Sequence, residues 1–139
     1  MKITEHFLRI LKRRLKISEG FRPIVYLDSL GISTFGYGFT RIEKDEADAV
    51  LQLKLKKIIE SDLVLFLDEI GHLNEKRLMV LIEMIYQLGA VGVKGFTKFR
   101  IAILAEDWEE AAHQMLHSKW HAQTPQRCER LANEFKDDN

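Results

Sequence analysis

The stretch SEGFRPIVYLDSLGISTFGYGFT, residues 18–40, decides the fold of this chain. It places β-branched and aromatic residues such as Ile24, Val25 and Tyr26 in short runs, which is typical of β-strands. Pro23 and several glycines interrupt these runs, and glycine and proline are the usual residues of tight turns. The stretch therefore predicts a β-hairpin or a small three-stranded sheet. No other part of the sequence has this pattern.

The segments on either side carry the apolar spacing of amphipathic helices. Residues 1–16 repeat apolar side chains at helical intervals with basic residues mostly opposite, so we expect a first helix there. We expect it to pack on the body of the domain, although its pattern would also suit a membrane surface or a partner helix. A second, long helix is predicted from about Lys44 to Gly71 at the latest. Its apolar stripe consists of Leu51, Leu55, Ile58, Ile59 and Leu63.

Capping residues indicate where the later helices begin. Asn74 is a candidate N-cap for a helix that runs to Gly89, and Asp107 is a candidate N-cap for a later helix. Thr124 and Pro125 form an N-cap and first-turn pair for the last helix.

These elements together predict an α+β fold. Three glycines within residues 89–95 predict a loop, and residues 96–104 predict a short helix after it. We expect a single domain, 1–139, with a small β-hairpin or sheet in an N-terminal lobe of residues 17–60. Residues 61–139 would form a mostly helical C-terminal lobe.

The composition is that of an ordinary globular protein. Hydrophobic residues make up 46% and charged residues 30% of the chain. The 21 basic and 21 acidic residues balance, whereas a nucleic-acid-binding domain usually has a basic excess. No apolar run reaches the roughly 20 residues of a membrane span, and the N-terminus lacks the apolar core of a secretory signal. We expect a monomer made in the cytoplasm, with no nucleic-acid partner and no stable membrane insertion.

The cysteine and the histidines do not indicate a reactive or metal-binding site. Cys128 is the only cysteine, so no disulfide can form within the chain, and we expect a packed side chain rather than a nucleophile. His113, His117 and His121 follow at i, i+4 and i+8, which can bring ligands together on one helix face. Because no metalloprotease motif accompanies them, we expect surface histidines, no metal and no cofactor.

Glu19 and Asp28 are candidate catalytic residues. A glycosidase needs one carboxylic acid that protonates the leaving oxygen and one carboxylate that activates water or stabilises the cation. A carboxyl at a helix end and another on a hairpin suit that reaction. Acidic pairs at this spacing are common, however, and both residues can equally be solvated groups at a helix end and in a turn.

Residues 18–40 resemble the active-site hairpin of the T-even phage lysozymes, glycoside hydrolase family 24. That family carries a Glu, eight intervening residues, an Asp, five more and then a Thr. Glu19, Asp28 and Thr34 stand at these intervals.

Two further blocks are similar to the same family. These are EMIYQLGAVGVKGFT, residues 83–97, and DWEEAAHQMLHSKWHAQTPQR, residues 107–127. The resemblance covers most of residues 17–135. It implies a muramidase that hydrolyses the β-1,4 bond between N-acetylmuramic acid and N-acetylglucosamine in bacterial peptidoglycan. It further implies a phage or prophage enzyme of host lysis, which a partner such as a holin would release to the wall.

The resemblance also implies a role for each matching residue. Glu19 would be the general acid, Asp28 would orient or activate the water, and Thr34 would hold that water on the opposite face of the sugar. This favours inversion, with the carboxyls about 6.5–9.5 Å apart. Arg127 would pair with Glu19 across the site. The implied substrate contacts are Gly38, Tyr86, Gln87, Gln114, Lys119, Gln123 and Thr124.

The sequence departs from the family pattern at two places. The family often has His after the Gly–x–Gly of the hairpin, but here Phe39 follows Gly38. That His is structural in the family, so the change concerns stability more than chemistry. The segment between the hairpin and the long helix is also shorter than in the T-even enzyme, which predicts a trimmed N-terminal lobe and a more open cleft.

Two other functions are compatible with these residues. A lytic transglycosylase needs the acid but no water-activating partner, so the presence of both Asp28 and Thr34 favours hydrolysis. A catalytically weak or inactive lysozyme fold could instead bind peptidoglycan or a protein partner, in keeping with Phe39 and the short N-terminal lobe.

Overall fold

A computed structural model describes residues 3–138 as an α+β protein. The chain divides into two compact units, Met1–Ala49 and Val50–Asn139. All strands of the described residues lie in the first unit, and the second unit is helical. The predicted α+β class and the small antiparallel sheet near the N-terminus are therefore confirmed. Residues 1, 2 and 139, included in the predicted first helix and C-terminal lobe, lie outside the described residues.

The first unit contains one helix and one hairpin. Helix α1 (Glu5–Glu19) is followed by strands β1 (Arg22–Leu27) and β2 (Ser33–Gly36), which pair antiparallel. Thr4 caps α1, because its hydroxyl accepts a hydrogen bond from the amide of Phe7 at 3.1 Å. No residue of α1 is buried, and its packing on the body of the domain stays a prediction.

A continuous helical path leads into the second unit. Helix α2 (Lys44–Lys57) is joined by a π-helical turn (Ile58–Asp62) to α3 (Leu63–Ile70), and the backbone stays helical at both junctions. Gly71, with φ of 75°, ends the path. The predicted long helix is thus confirmed, although its apolar stripe did not indicate the π turn.

The remaining helices follow closely on one another. They are α4 (Glu75–Lys94), α5 (Thr97–Leu104), α6 (Trp108–Leu116), α7 (Lys119–Gln123) and α8 (Pro125–Lys136). Both predicted caps are confirmed: Asn74 accepts from the amide of Arg77 at 2.9 Å, and Asp107 accepts from that of Glu110 at 3.0 Å. Pro125 begins α8 as predicted, whereas the Thr124 side chain makes no capping hydrogen bond.

The predicted loop over residues 89–95 is wrong for most of its length. Gly89 has φ of 76° and ψ of 160° and interrupts the helix, but α4 then continues to Lys94. Gly89, with its positive φ, breaks the helix locally, and the residues after it return to helical geometry, with Val93 fully buried.

The second unit has the hydrophobic core. Its largest fully buried side chains are Phe66, Phe99, Phe135, Leu81, Met84, Ile103, Met115, Leu131, Val80, Val93 and Cys128. Burying a large apolar side chain contributes about 1.5–3 kcal/mol. Trp120 is 2% exposed and Trp108 packs against the core.

Within residues 3–138, no single helix is long and apolar enough to cross a membrane. Helices α4 and α5 meet the length and composition criteria only as a pair, and the chain bends by 98° between them.

A buried arginine joins the start of α4 to the end of α8. Arg77 is 5% exposed, and its Nε donates to the carbonyl oxygen of Phe135 at 2.8 Å. Its guanidinium lies 4.0 Å from the centre of the Trp108 ring, and its Nη2 donates to Asp138 at 3.0 Å. Because the last carbonyls of a helix have no partner within it, Arg77 satisfies a group that burial would otherwise leave unpaired.

We expect Arg77→Met to lower the free energy of unfolding by about 2–4 kcal/mol, because it removes a cation–π contact and leaves a helix carbonyl without a donor. Urea unfolding measures this loss. Arg130→Gln is the control, since Arg130 pairs with Glu83 and Glu134 at the surface and should change stability by less than about 1 kcal/mol. Equal losses in both variants would contradict the structural role of Arg77.

Cys128 is buried in α8, as the sequence predicts. Its thiol donates to the carbonyl oxygen of Met115 at 3.2 Å. Burial, with a smaller contribution from the Glu129 charge, raises the pKa of the Cys128 thiol from 9.0 to about 11. The folded chain thus holds this proton more tightly than the unfolded chain does. The resulting stabilisation is complete below pH 9.0 and is lost as the pH rises through about 11.

Between pH 9.0 and about 11, the wild type should therefore lose more unfolding free energy than Cys128→Ala, which has no thiol to ionise. Urea unfolding at a series of pH values gives the unfolding free energy of each protein as a function of pH. Tyrosines and lysines titrate equally in both proteins, so their contribution cancels in the difference between the two curves. Parallel curves would show that the thiol pKa is the same in the folded and unfolded chains.

Candidate active site

Glu19 is the last residue of α1, and its side chain lies on the backbone of Gly38. A Cβ atom at position 38 would come 2.9 Å from the Glu19 Cδ, closer than real Cβ atoms approach any atom. Gly38 also has φ of 75°, a conformation that side chains disfavour. Position 38 thus needs glycine both for its backbone conformation and for the contact with the Glu19 carboxylate.

Asp28 forms the turn between β1 and β2. Its Oδ1 accepts hydrogen bonds from the amides of Leu30 at 2.8 Å and Ile32 at 2.9 Å. No hydrogen bond from another described residue reaches Oδ2. The turn therefore fixes the orientation of the carboxylate and leaves its second oxygen able to accept a proton or a hydrogen bond.

Thr34 is the buried polar residue of the hairpin. It is 4% exposed, pairs with Tyr26 across the sheet, and donates its hydroxyl hydrogen to the carbonyl oxygen of Ile32 at 2.9 Å. The lone pairs of the hydroxyl oxygen remain as acceptors. The amide of Ile32 donates to Asp28 while its carbonyl accepts from Thr34, so a single residue connects the two predicted water-holding groups.

Phe39 stands where the family pattern often has His. Its amide and carbonyl bond the backbone of Phe35, both at 2.8 Å, and close a tight loop. Its ring lies on Gly36, where a Cβ atom would come within 2.6 Å, and it packs edge-on against Phe35 with ring centres 5.8 Å apart. Phe39 thus takes part in the local packing of this loop.

In the second unit, Gln87 and Thr124 belong to one hydrogen-bond network. The Gln87 Oε1 accepts from the indole nitrogen of Trp120 at 3.0 Å, and its Nε2 donates to the Thr124 Oγ1 at 3.2 Å. The Thr124 hydroxyl is itself 3.4 Å from the Trp120 carbonyl oxygen. Two of the predicted substrate contacts are therefore held in place by their own unit.

Three other predicted contacts line one pocket of about 520 Å³ in the second unit. Gln114, Lys119 and Gln123 contribute polar groups to it, and Phe96 and Trp120 contribute apolar walls. This volume lies within the usual range for small-molecule sites. Tyr86, which is 44% exposed, lines a different and smaller space, and Gly38 belongs to the first unit.

Arg127 is paired with a carboxylate of its own unit. Its Nη2 donates to Glu83 at 3.3 Å, and Arg130 donates to the same oxygen at 3.2 Å. The hydrogen bonds that Arg130 donates to Glu134 and Glu83 raise the pKa of Arg130. The pairing with Glu83 is not visible in the sequence, since no local pattern connects residues 44 positions apart. Glu19 lies in the other unit, and its pairing with Arg127 stays a prediction.

The three spaced histidines do not converge. The rings of His113 and His117 lie 3.9 Å apart, whereas His121 lies 2.9 Å from a carboxylate oxygen of Glu129. In the part of the chain that the structure describes, no group of three or more His, Cys, Asp or Glu residues is placed to hold a metal ion.

Comparison with known proteins identifies the family. Residues 16–134 match the phage lysozyme family, and the chain belongs to that family. It is 29% identical to the probable T4-type lysozyme 2 of Dictyostelium discoideum, over 91% of this chain and 93% of the relative. It is also 29% identical to the probable T4-type lysozyme 1 of that organism, over 87% and 90%. A shorter match, 40% identical, covers 42% of this chain and 10% of the pre-baseplate central spike protein of Enterobacteria phage T4.

The family and the two full-length relatives support a lysozyme-type activity, which is that of a glycoside hydrolase, and they suggest peptidoglycan as the substrate. The alignment to the first relative spans 158 positions although this chain has 139 residues, so the relative has segments that this chain lacks. That the shortening follows the hairpin stays a prediction.

We expect Gly38→Ala to lower kcat at least about tenfold, because the new methyl group would displace the Glu19 carboxylate. Gly71→Ala is the matched control: Gly71 also has φ of 75°, but a Cβ atom there meets nothing within 4 Å. Both variants should lose about 1 kcal/mol of stability from backbone strain, and only Gly38→Ala should lose activity. Peptidoglycan turnover and urea unfolding, measured on both variants, separate these effects. Equal activity of the two variants would contradict a catalytic role for the contact.

Proposed function

We propose that this chain is a muramidase that hydrolyses the β-1,4 bond between N-acetylmuramic acid and N-acetylglucosamine with inversion of configuration. One observation carries the proposal: the Glu19 carboxylate lies on Gly38, at the end of the same hairpin whose turn and second strand hold Asp28 and Thr34. A general acid and a water-orienting pair attached to one small backbone frame suit glycosidic hydrolysis.

In the proposed reaction, protonated Glu19 donates its proton to the glycosidic oxygen as the bond from that oxygen to the anomeric carbon breaks. A water held by the Thr34 hydroxyl and by the Asp28 Oδ2 attacks the anomeric carbon from the opposite face. Asp28 takes the proton that the water releases. The new carbon–oxygen bond has the inverted configuration, and the products are a hydrated reducing end and a free hydroxyl.

The second unit would hold the substrate. The amide of Gln87 is oriented by Trp120 and Thr124, and Gln114, Lys119 and Gln123 present polar groups around an apolar pocket. Such a pocket suits an amino sugar, which has both polar groups and an apolar face. Arg127, which is charged and held by Glu83, would face the acid when the substrate is bound.

We further propose a biological setting of bacterial lysis. In this setting, a monomeric phage or prophage enzyme is made in the cytoplasm and reaches the wall with the help of a partner such as a holin.

The test compares wild type, Glu19→Gln and Glu5→Gln in the clearing of purified peptidoglycan, with mass spectrometry of the products. Glu5 is the control, since it is an exposed carboxylate at the other end of α1. We expect Glu19→Gln to lower the rate of peptidoglycan hydrolysis about 10²–10⁴-fold, because an amide cannot protonate the leaving oxygen. Glu5→Gln should retain wild-type activity and yield hydrated reducing muramic acid ends.

Two outcomes would contradict the muramidase proposal, and each would indicate a different function. Products with 1,6-anhydro ends would show a lytic transglycosylase, which does not use Asp28 and Thr34 to activate water. Binding of peptidoglycan by all three proteins without release of reducing ends would show a glycan-binding module.

A further inference from the structure

Two lysines and a tyrosine surround a second space in the C-terminal unit. Lys54 and Lys57 lie one turn apart at the end of α2, and together with Ile58 and Tyr86 of α4 they line a pocket of about 350 Å³. Ile58 is 9% exposed and belongs to the apolar core, whereas Tyr86 is 44% exposed. The lining of this space therefore combines a buried apolar residue, a half-exposed aromatic residue and two lysines.

The two lysines have no structural partner that explains their position. Neither forms an ion pair or a side-chain hydrogen bond with another described residue. Two like charges at i and i+3 repel each other and destabilise a helix slightly. Lysines often offset the negative end of a helix dipole, but here the backbone continues in helical conformation through residues 58–62, so no helix end is present.

The backbone at this point is also irregular. The π turn (Ile58–Asp62) begins directly after Lys57, and Ile58, its first residue, lines the pocket. Single π turns within α-helices occur frequently at functional sites. The structure thus places a local departure from α-helical geometry next to two unpaired cations and an accessible aromatic ring.

We propose that Lys54, Lys57 and Tyr86 form a subsite for a carboxylate group of peptidoglycan. The ammonium groups bind the carboxylate, and the Tyr86 ring packs against the apolar part of the group that carries it. In peptidoglycan a carboxylate is carried either by the lactyl group of muramic acid or by the stem peptide. This inference rests on the proposed function for the choice of polymer, and it adds a preference for anionic over neutral glycans.

Binding is tested first, without reference to activity. The wild-type chain is titrated by NMR with chitotetraose, with a peptide-free disaccharide that contains N-acetylmuramic acid, and with a wall stem tetrapeptide. We expect saturable chemical-shift changes at Lys54, Lys57 and Tyr86 with one or both carboxylate probes and none with chitotetraose. The probe that binds identifies the source of the carboxylate, and failure of both probes to bind overturns the proposal.

The variants then test which charges matter. The pocket variant carries Lys54→Gln and Lys57→Gln and so loses two charges from the pocket. The control variant carries Lys12→Gln and Lys56→Gln and loses two charges outside it. We expect the pocket variant to raise KM on peptidoglycan about three- to tenfold with kcat unchanged, whereas the control variant changes neither. Lys54→Arg with Lys57→Arg should bring KM close to the wild-type value. Amidation of the peptidoglycan carboxyls should remove the difference between wild type and the pocket variant.

The outcomes separate this inference from the proposed function. Equal increases of KM in the pocket variant and the control would indicate general attraction to an anionic wall and would overturn the subsite. Hydrolysis with an unchanged KM in the pocket variant would also overturn the subsite and leave the muramidase proposal intact. Carboxylate binding at the pocket without any hydrolysis would support the subsite and overturn the muramidase.

Discussion

The contact between the Glu19 carboxylate and the backbone of Gly38 connects the end of α1 to the hairpin, and the proposed chemistry of the N-terminal unit depends on it. At this position the Glu19 carboxylate occupies the space that a Cβ atom would take, and the positive φ of Gly38 also favours glycine. Backbone hydrogen bonds between Phe35 and Phe39 close the loop that contains Gly38, on which the carboxylate lies. The Glu19 carboxylate thus lies at the hairpin that also holds Asp28 and Thr34.

The two units achieve preorganisation by different means. In the hairpin, the peptide groups of Ile32 bind both Asp28 and Thr34, so the two side chains keep a fixed relation to one another. In the helical unit, side chains position side chains: Gln87 bridges Trp120 and Thr124, and Glu83 holds Arg127 and Arg130. For the proposed reaction, groups supported in this way would keep their orientation before substrate arrives, which lowers the entropy lost on binding.

The sequence predicted those features of the fold that arise from local chemistry. The caps at Asn74 and Asp107 satisfy amides only three residues away, so a short pattern was enough to find them. Long-range features could not be predicted from the sequence. The burial of Arg77, for example, depends on a carbonyl group 58 positions further along the chain. In the candidate site, the resemblance identified the hairpin residues by their spacing. It could not show that Gln114, Lys119 and Gln123 line one pocket while Tyr86 lines another, because packing between helices decides this.

Phe39 stands where the family often has His, and this difference could affect the chemistry proposed for the hairpin. A residue at this position could disturb the site in two ways, by changing the path of the loop or by withdrawing a hydrogen bond from a catalytic group. The loop path is held by the backbone pair with Phe35, which any side chain permits, and the Phe39 ring lies on Gly36, away from the Glu19 contact at Gly38. The Asp28 side chain accepts from the amides of Leu30 and Ile32, and the Thr34 hydroxyl donates to the carbonyl oxygen of Ile32, so neither side chain bonds residue 39. Aromatic packing around Gly36 therefore stabilises the loop without drawing on the groups that the proposed reaction requires, which argues against loss of activity as the consequence of this change.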